Sequence, residues 1–218
     1  MYDFIPAHPP STLASGLLSY LNTTALKLGN MVRDVRRDDL GKMPQLGYTP
    51  GSRSAVPRIL TWCRGLSRTT HTTGFLRQCI HEATSMTALL WSASRAVLPQ
   101  AIIDDFEGPT TTAGLPRMDW NSFGRPPASA HISAVIDTRV YELRGLHLGP
   151  LSAFAGQDYT RFTHSESNDN EYVVSLTTNR AVPEEQGRHF YYARYGVKVV
   201  NRTGALIVHR VGDAHGTM

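Results

Sequence analysis

Cysteines and long apolar runs are scarce in this sequence. Only two cysteines, Cys63 and Cys79, occur among 218 residues. Two cysteines cannot build a disulfide framework, and without a second pair they argue against a structural zinc site. No run of about 18 apolar residues is present, so we predict no membrane span and no membrane partner. The N-terminal segment has no basic stretch before a long apolar one, so we expect no secretory signal and an intracellular protein, nuclear or cytoplasmic.

Common catalytic and nucleotide-binding motifs are also missing. The segment from His81 to Ser85 begins as a zinc-protease helix does, but a serine stands where that motif needs its second histidine. The sequence contains no phosphate-binding glycine loop and no internal repeat. These absences exclude the zinc-protease motif and the P-loop nucleotide site.

The net charge of +4 is unevenly distributed along the chain. Residues 1–100 carry 11 Lys and Arg against 5 Asp and Glu, whereas residues 101–218 carry 11 against 13. The arginines of the first part are spread out and include Arg33, Arg36, Arg37, Arg53, Arg58, Arg64, Arg68 and Arg77. A basic region can bind nucleic acid, so nucleic acid is a candidate partner. The alternative is an ordinary solvated helical surface, because no nucleic-acid-binding motif accompanies these arginines.

The sequence changes character near residue 100. Before that point, two segments have apolar residues at helical spacing. We predict one helix that begins after Ser11 and a stronger one between Thr73 and Pro99. The apolar stripe of the stronger helix consists of Phe75, Leu76, Cys79, Ile80, Ala83, Met86, Leu89 and Leu90. Residues 105–130 are rich in Gly, Pro, Ser and Thr, which predicts a loop or linker.

The remainder of the chain has the composition of β-strands. Short runs rich in Val, Ile, Tyr, Phe and Thr alternate with turn-like breaks. Several short strands without intervening helices favour a sandwich or barrel over a parallel α/β sheet. We therefore predict an α+β protein with a helical N-terminal region (1–104), a Gly/Pro-rich loop (105–130) and a jelly-roll-like β core (131–218). The three regions could also form one continuous domain.

Three side chains of the β region could converge on one metal ion. His164 ends a predicted strand, and Glu166 follows two residues later, on the same side of an extended chain. His215 comes after the last apolar run, again just past a predicted strand. Two histidines and one carboxylate form a facial triad, which leaves other positions on an iron ion open for a substrate and O₂.

Other interpretations of these residues stay open. The histidine–glutamate pair could be polar turn residues, and the C-terminal histidine could be a frayed terminal residue. Asp169 is a substitute for Glu166 as the carboxylate ligand, and Asp213 could support the C-terminal histidine from the outer shell. His189 and His209 are predicted to be half-exposed strand residues rather than ligands.

The segment "HFYYARYGVKVVNRTGALIVHRVGDAHGT" resembles the closing part of fungal Fe(II)/2-oxoglutarate-dependent dioxygenases, including those related to the TET/JBP oxygenases. The pattern is a His-x-Asp/Glu pair, a Tyr-Gly-Val strand, a Gly-x-Leu turn and a final His-Gly strand. Here these elements are His164–Glu166, Tyr195–Val197, Gly204–Leu206 and His215–Gly216. The resemblance covers roughly residues 130–218. It implies a double-stranded β-helix, Fe(II) held by the triad, and 2-oxoglutarate as a small-molecule co-substrate.

The chain departs from this family pattern at two points. Its carboxylate is Glu166, where the family more often has aspartate, so the longer side chain must fold back to reach the metal. The family usually anchors the distal carboxylate of 2-oxoglutarate with a basic residue shortly after the second histidine, whereas this sequence ends three residues after His215. Arg210, Lys198 and Arg194, on the preceding strands, are the candidate anchors.

The resemblance implies an oxidoreductase that oxidises a C–H bond, and the TET/JBP relation suggests a modified nucleobase as substrate. The glutamate and the missing downstream basic residue favour an alternative, a catalytically inactive barrel-fold binding or scaffold protein. A third hypothesis is a nucleic-acid-binding protein that uses its arginine-rich N-terminal half.

Overall fold

The computed structural model describes most of the chain. The described residues are 2–3, 12–31, 38–49, 61–62, 73–113, 117–118, 130–136, 138–168 and 170–218. Ser11 and Cys63 lie outside these ranges. None of the helices within the ranges is long and apolar enough to cross a membrane.

Three α-helices lie in the described part of the chain. They are α1 (Thr12–Met31), α2 (Thr73–Arg95) and α3 (Gln100–Thr112). The first two cover the segments with helical periodicity, so both helix predictions are confirmed. The predicted stripe of α2 contributes Cys79, Ala83, Met86 and Leu89 to the main core, where they pack with Leu21 and Leu28 of α1. Side chains three and four residues apart share one helix face, so this spacing buries a continuous stripe.

The third helix corrects the prediction of a loop from residue 105 onward. α3 continues to Thr112 and includes Pro109. Proline has no N–H to donate to the carbonyl four residues earlier, which here belongs to Asp105. The side-chain amide of Asn170 donates to that carbonyl at 2.7 Å and replaces the missing hydrogen bond. The helix therefore tolerates its proline because a distant residue satisfies the carbonyl that the proline leaves free.

Short antiparallel strands make up the rest of the described fold. They are β1 (Tyr2–Asp3), β2 (Leu40–Lys42), β3 (Gln45–Thr49), β4 (Thr61–Trp62), β5 (Ala130–Ile136), β6 (Arg139–Leu146), β7 (Ser152–Phe154), β8 (Gln157–His164), β9 (Tyr172–Leu176), β10 (Phe190–Tyr192), β11 (Val197–Val199), β12 (Ala205–Arg210) and β13 (His215–Thr217). The strands form sheets with the orders β1-β12-β9, β11-β10-β13-β8-β2 and β4-β3-β7, and β5 pairs with β6.

The N-terminal region contributes strands as well as helices to this architecture. β1 pairs with β12, and β2 pairs with β8, so each joins a sheet built mainly from C-terminal strands. A second apolar cluster lies between the helices and the first sheet: Trp91, Leu98, Ile102, Ile103 and Leu206. The predicted α+β class is confirmed. Within the described residues the sheets are not closed into a barrel, and the jelly-roll topology stays a prediction.

Candidate metal centre

The pairing of β8 with β13 places two histidines side by side. His164, the last residue of β8, is the register partner of His215, the first residue of β13. Gly216 permits this close approach, because a Cβ at this position would lie 3.0 Å from the carbonyl oxygen of Arg161 and 3.1 Å from the amide nitrogen of Thr163. A larger residue at position 216 would have to displace the neighbouring β8 backbone by a few tenths of an ångström, so glycine suits this close spacing. The two imidazole centroids are 4.5 Å apart.

Glu166 joins the two histidines from the segment that follows β8. Its backbone N–H donates to the carbonyl of Val211 at 3.2 Å, which ties this segment to the end of β12. Its Oε1 atom lies 3.4 Å from Nε2 of His164. One donor atom from each of His164, Glu166 and His215 lies within 4.8 Å of the other two. The structure therefore brings together the three residues that the sequence suggested as ligands.

Both histidines are oriented by backbone carbonyls. Nδ1–H of His164 donates to the carbonyl of Phe162 at 2.8 Å, and Nδ1–H of His215 donates to the carbonyl of Asp213 at 2.7 Å. A carbonyl can only accept, so the proton of each neutral ring lies on Nδ1 and the lone pair on Nε2. Metal-binding histidines commonly have this outer-shell arrangement.

A buried wall of rings lies against His215. The ring centroid of His209 is 4.4 Å from that of His215, and Phe190 lies 4.7 Å from His209. His209 is only 8% exposed and His189 only 2%, so the prediction that both are half-exposed is wrong. In His189, Nε2–H donates to the carbonyl of Glu184 and Nδ1 accepts from the backbone of Asn201. Because both of its ring nitrogens are hydrogen-bonded, the His189 imidazole can be buried away from the cluster of His164, Glu166 and His215.

His209 has a different environment from the other buried histidine. Its Nδ1 atom is buried and has no hydrogen-bond partner among the described residues. Burial, reinforced by the neighbouring His215, lowers the pKa of His209 to about 4. Its ring is therefore neutral near pH 7, and it adds no charge beside the cluster. Sequence reasoning missed this residue because strand alternation alone does not show that a second sheet covers it.

Asp213 lies at the centre of a polar network behind His215. Its carboxylate accepts hydrogen bonds from Tyr192 Oη at 2.6 Å, Arg194 Nη1 at 2.6 Å and Tyr195 Oη at 3.3 Å. The hydrogen bond from Tyr192, together with Arg194, lowers the pKa of Asp213. The same residue offers its backbone carbonyl to His215. Asp213 therefore supports His215 as the sequence suggested, but it does so through its backbone carbonyl rather than its carboxylate.

Arg161 is a residue of the site that the sequence analysis did not single out. Its Nη1 atom lies 2.7 Å from Oε1 of Glu166, and its Nε lies 3.5 Å from Oδ2 of Asp39. The same Asp39 oxygen accepts a hydrogen bond from the hydroxyl of Tyr159 at 2.6 Å. No motif spacing could have revealed this chain of contacts, because Asp39 is far from the other residues in sequence.

The three candidate anchors for 2-oxoglutarate lie on or near the surface. Arg194 pairs with Asp213, and Arg210 pairs with Glu171 at 3.1 Å with its side chain 57% exposed. Lys198 of β11 is also exposed. None of the three belongs to the ligand cluster, and the role of each as an anchor stays a prediction.

Several other sequence hypotheses fall outside the described residues. Asp169, the substitute carboxylate ligand, is not among the described residues, and neither are seven of the eight arginines between positions 33 and 77. Within the described ranges, Arg77 is exposed. Burial raises the pKa of the Cys79 thiol, which fits its place in the helical core rather than a nucleophilic role.

The cluster has the donor chemistry of a divalent metal site. Imidazole and carboxylate ligands suit iron, manganese, cobalt and zinc, and three such ligands on one side leave other positions free. Comparisons of this chain with protein-family models, with curated proteins and with solved structures found no match. The site geometry is therefore the basis for the functional argument.

Proposed function

We propose that this protein binds one divalent metal ion through His164, Glu166 and His215, and that it is an Fe(II)/2-oxoglutarate-dependent dioxygenase acting on a C–H bond. The observation that carries the proposal is the convergence of three donor atoms within 4.8 Å of one another. Metal ligands of these types lie about 2.0–2.2 Å from the ion, so neighbouring donors stand about 3 Å apart in a bound site. The separation of 3.4 Å between His164 and Glu166 needs only a small contraction.

The protein's own groups prepare the site for a cation. The two backbone carbonyls that hold the Nδ1 protons leave both Nε2 lone pairs available. The buried rings beside His215 exclude water from one side. Bound Fe(II) would supply the chemistry that activates O₂ for oxidation of a C–H bond. A modified nucleobase is the substrate class that the resemblance to TET/JBP-related oxygenases suggests.

Metal binding is tested first with Fe(II) under anaerobic conditions. We expect one ion per chain, and then a weak metal-to-ligand absorbance band when 2-oxoglutarate is added. His164→Ala and His215→Ala should each abolish the band and weaken metal binding by more than the roughly tenfold to hundredfold typical of outer-shell changes. His131→Ala is the matched control, because His131 also lies beside a glutamate, 2.8 Å from Glu142, but on an exposed hairpin.

The possible outcomes separate the functional hypotheses. Metal binding with the band supports the dioxygenase. Metal binding without the band, at saturating 2-oxoglutarate, contradicts the co-substrate and leaves a metal-binding protein of another class. Absence of binding in the unsubstituted chain contradicts the proposal and favours the scaffold alternative.

A further inference from the structure

We propose that Arg161 is a positioning residue for the metal site, and that it holds the Glu166 carboxylate where the two histidines can share a cation with it. This inference rests on the proposed function, because it concerns how the same site is organised. It assigns a role to the chain of contacts that links Tyr159, Asp39, Arg161 and Glu166.

A bulge in β8 makes the contact possible. His215 of β13 pairs with His164, but Thr217, two residues on, pairs with Arg161, three residues back. Residues three apart in a regular strand point to opposite faces of the sheet. The extra residue in β8 cancels this alternation, so Arg161 and His164 face the same side. Bulges commonly redirect side chains next to functional sites.

The guanidinium group is itself held in place from the opposite side. Nε of Arg161 faces Asp39, whose carboxylate is fixed by the hydroxyl of Tyr159. Asp39 lies beside β2, which pairs with β8. The planar guanidinium can contact two carboxylates at once, which the single ammonium group of a lysine does poorly. Arg161 therefore connects Asp39, at the β2 edge of the sheet, to the more exposed glutamate.

Glu166 needs such support because of its length and position. A glutamate side chain has one more rotatable bond than an aspartate, and ordering it costs conformational entropy. Glu166 also lies beyond the end of β8, and its side chain is 35% exposed. The ion pair at 2.7 Å restricts these torsions before a metal arrives. Because each carboxylate oxygen has two acceptor sites, Oε1 can keep the guanidinium while it also binds a cation.

The sign of the effect distinguishes positioning from simple electrostatics. A guanidinium close to a metal repels it, so Coulomb's law alone predicts that removing Arg161 strengthens metal binding. Positioning predicts the opposite, because the glutamate then samples many conformations that do not bind. Weaker binding without Arg161 would therefore be evidence that orientation outweighs repulsion.

Cobalt(II) titration of the full chain, followed by visible absorbance, measures the affinity. We compare the unsubstituted chain with Arg161→Gln, Glu166→Asp and the double variant. We expect Arg161→Gln to weaken binding about tenfold to a hundredfold. In the Glu166→Asp background, we expect the same substitution to change affinity by less than about threefold, because the shorter side chain has lost its contact with Arg161.

Two further variants make the test specific. Arg161→Lys keeps the positive charge but loses the planar guanidinium, so it should also weaken cobalt binding. This variant still tests the inference if Arg161→Gln fails to fold. Arg188→Gln is the matched control. Arg188 forms an ion pair with Asp158 of β8, the strand that contains Arg161, but at a more exposed position. It should leave cobalt affinity unchanged.

Each result decides the question. Unchanged or stronger cobalt binding in the Arg161 variants would overturn the inference and leave the proposed metal site intact. If Arg161→Gln lowered cobalt affinity equally in the Glu166 and Glu166→Asp backgrounds, the inference would also be overturned, since Arg161 would then act without the glutamate. Failure of the unsubstituted chain to bind cobalt would overturn both the inference and the proposed function.

Discussion

The surroundings of single residues in the site change their pKa values, and His209 shows the effect of burial most clearly. Its pKa falls to about 4, from an ordinary value of 6.5, chiefly because burial disfavours the charged ring. The folded state therefore resists protonation that the unfolded chain accepts. No stability is lost to this effect above pH 6.5, where both states are neutral. Below that value the unfolded state gains protons first, so stability falls until pH 4 is reached.

This difference gives a prediction for the metal-free protein. Between pH 6.5 and 4, titration of His209 should remove about 3 kcal/mol from the free energy of unfolding. Urea unfolding in the presence of a chelator, at a series of pH values, measures the loss. His209→Phe should flatten the pH dependence by that amount, because phenylalanine fills a similar volume without a proton site. An unchanged slope in this variant would show that other groups account for the acid sensitivity.

At the residue scale, the sequence was informative where the order of residues along the chain is enough to suggest which side chains meet. The order His164, Glu166, His215, with each histidine at a strand end, pointed to three side chains that the structure brings together. It did not point to Arg161, because the β8 bulge that turns this side chain toward the site is a property of strand pairing. It also misjudged His209, because burial depends on which sheet faces it.

Elements of secondary structure, like single residues, were predicted correctly where local sequence defines them and incorrectly where distant contacts do. The helical period of α2 predicted its buried face correctly, since that face is defined within one helix. The composition of residues 105–112 predicted a loop where the chain is helical. The decisive partner of this helix is Asn170, which lies 65 residues from Asp105 in sequence. Strand β2 is equally hard to predict, because three residues become a strand only through pairing with β8.

The contact between α3 and β9 gives a prediction at this scale. The carboxylate of Asp105 accepts hydrogen bonds from the backbone N–H groups of Glu171 and Tyr172, at 3.0 and 3.1 Å. It therefore fixes the start of β9 to the helix. Asp105→Ala should lower the free energy of unfolding by about 1–3 kcal/mol, because two donors lose a charged acceptor.

A neighbouring aspartate supplies the control for this substitution. Asp104 lies on the same helix, is exposed, and accepts a hydrogen bond from the side-chain amide of Gln100 at 2.8 Å. Asp104→Ala makes the same change in helix propensity but should cost only a few tenths of a kcal/mol. Urea unfolding of both variants measures the difference. Equal stability of the two would show that Asp105 does not hold α3 to β9.

At the scale of the whole molecule, the structure bears on whether residues 131–218 form an independent core. The side chain of Leu206 in β12 is fully buried, and its neighbours include Trp91 of α2 and Ile102 of α3. The hydroxyl of Thr178 donates to the side-chain oxygen of Asn22 of α1 at 3.0 Å. β1 and β2 supply backbone partners to β12 and β8. The helices and the C-terminal strands thus share one set of contacts.

We therefore expect a chain that comprises only residues 131–218 to lack a cooperative unfolding transition. Without the helices, the apolar faces of β5 and β12 would be exposed to water, and β8 would lose its edge partner β2. The loss of Asp39, which faces Arg161, would remove support for the proposed metal site at the same time. Thermal unfolding followed by circular dichroism compares this fragment with the full chain, and cobalt titration compares their sites. A cooperative transition in the fragment would contradict this expectation, because it would mean that the strands carry a sufficient core and that the helices only cover it.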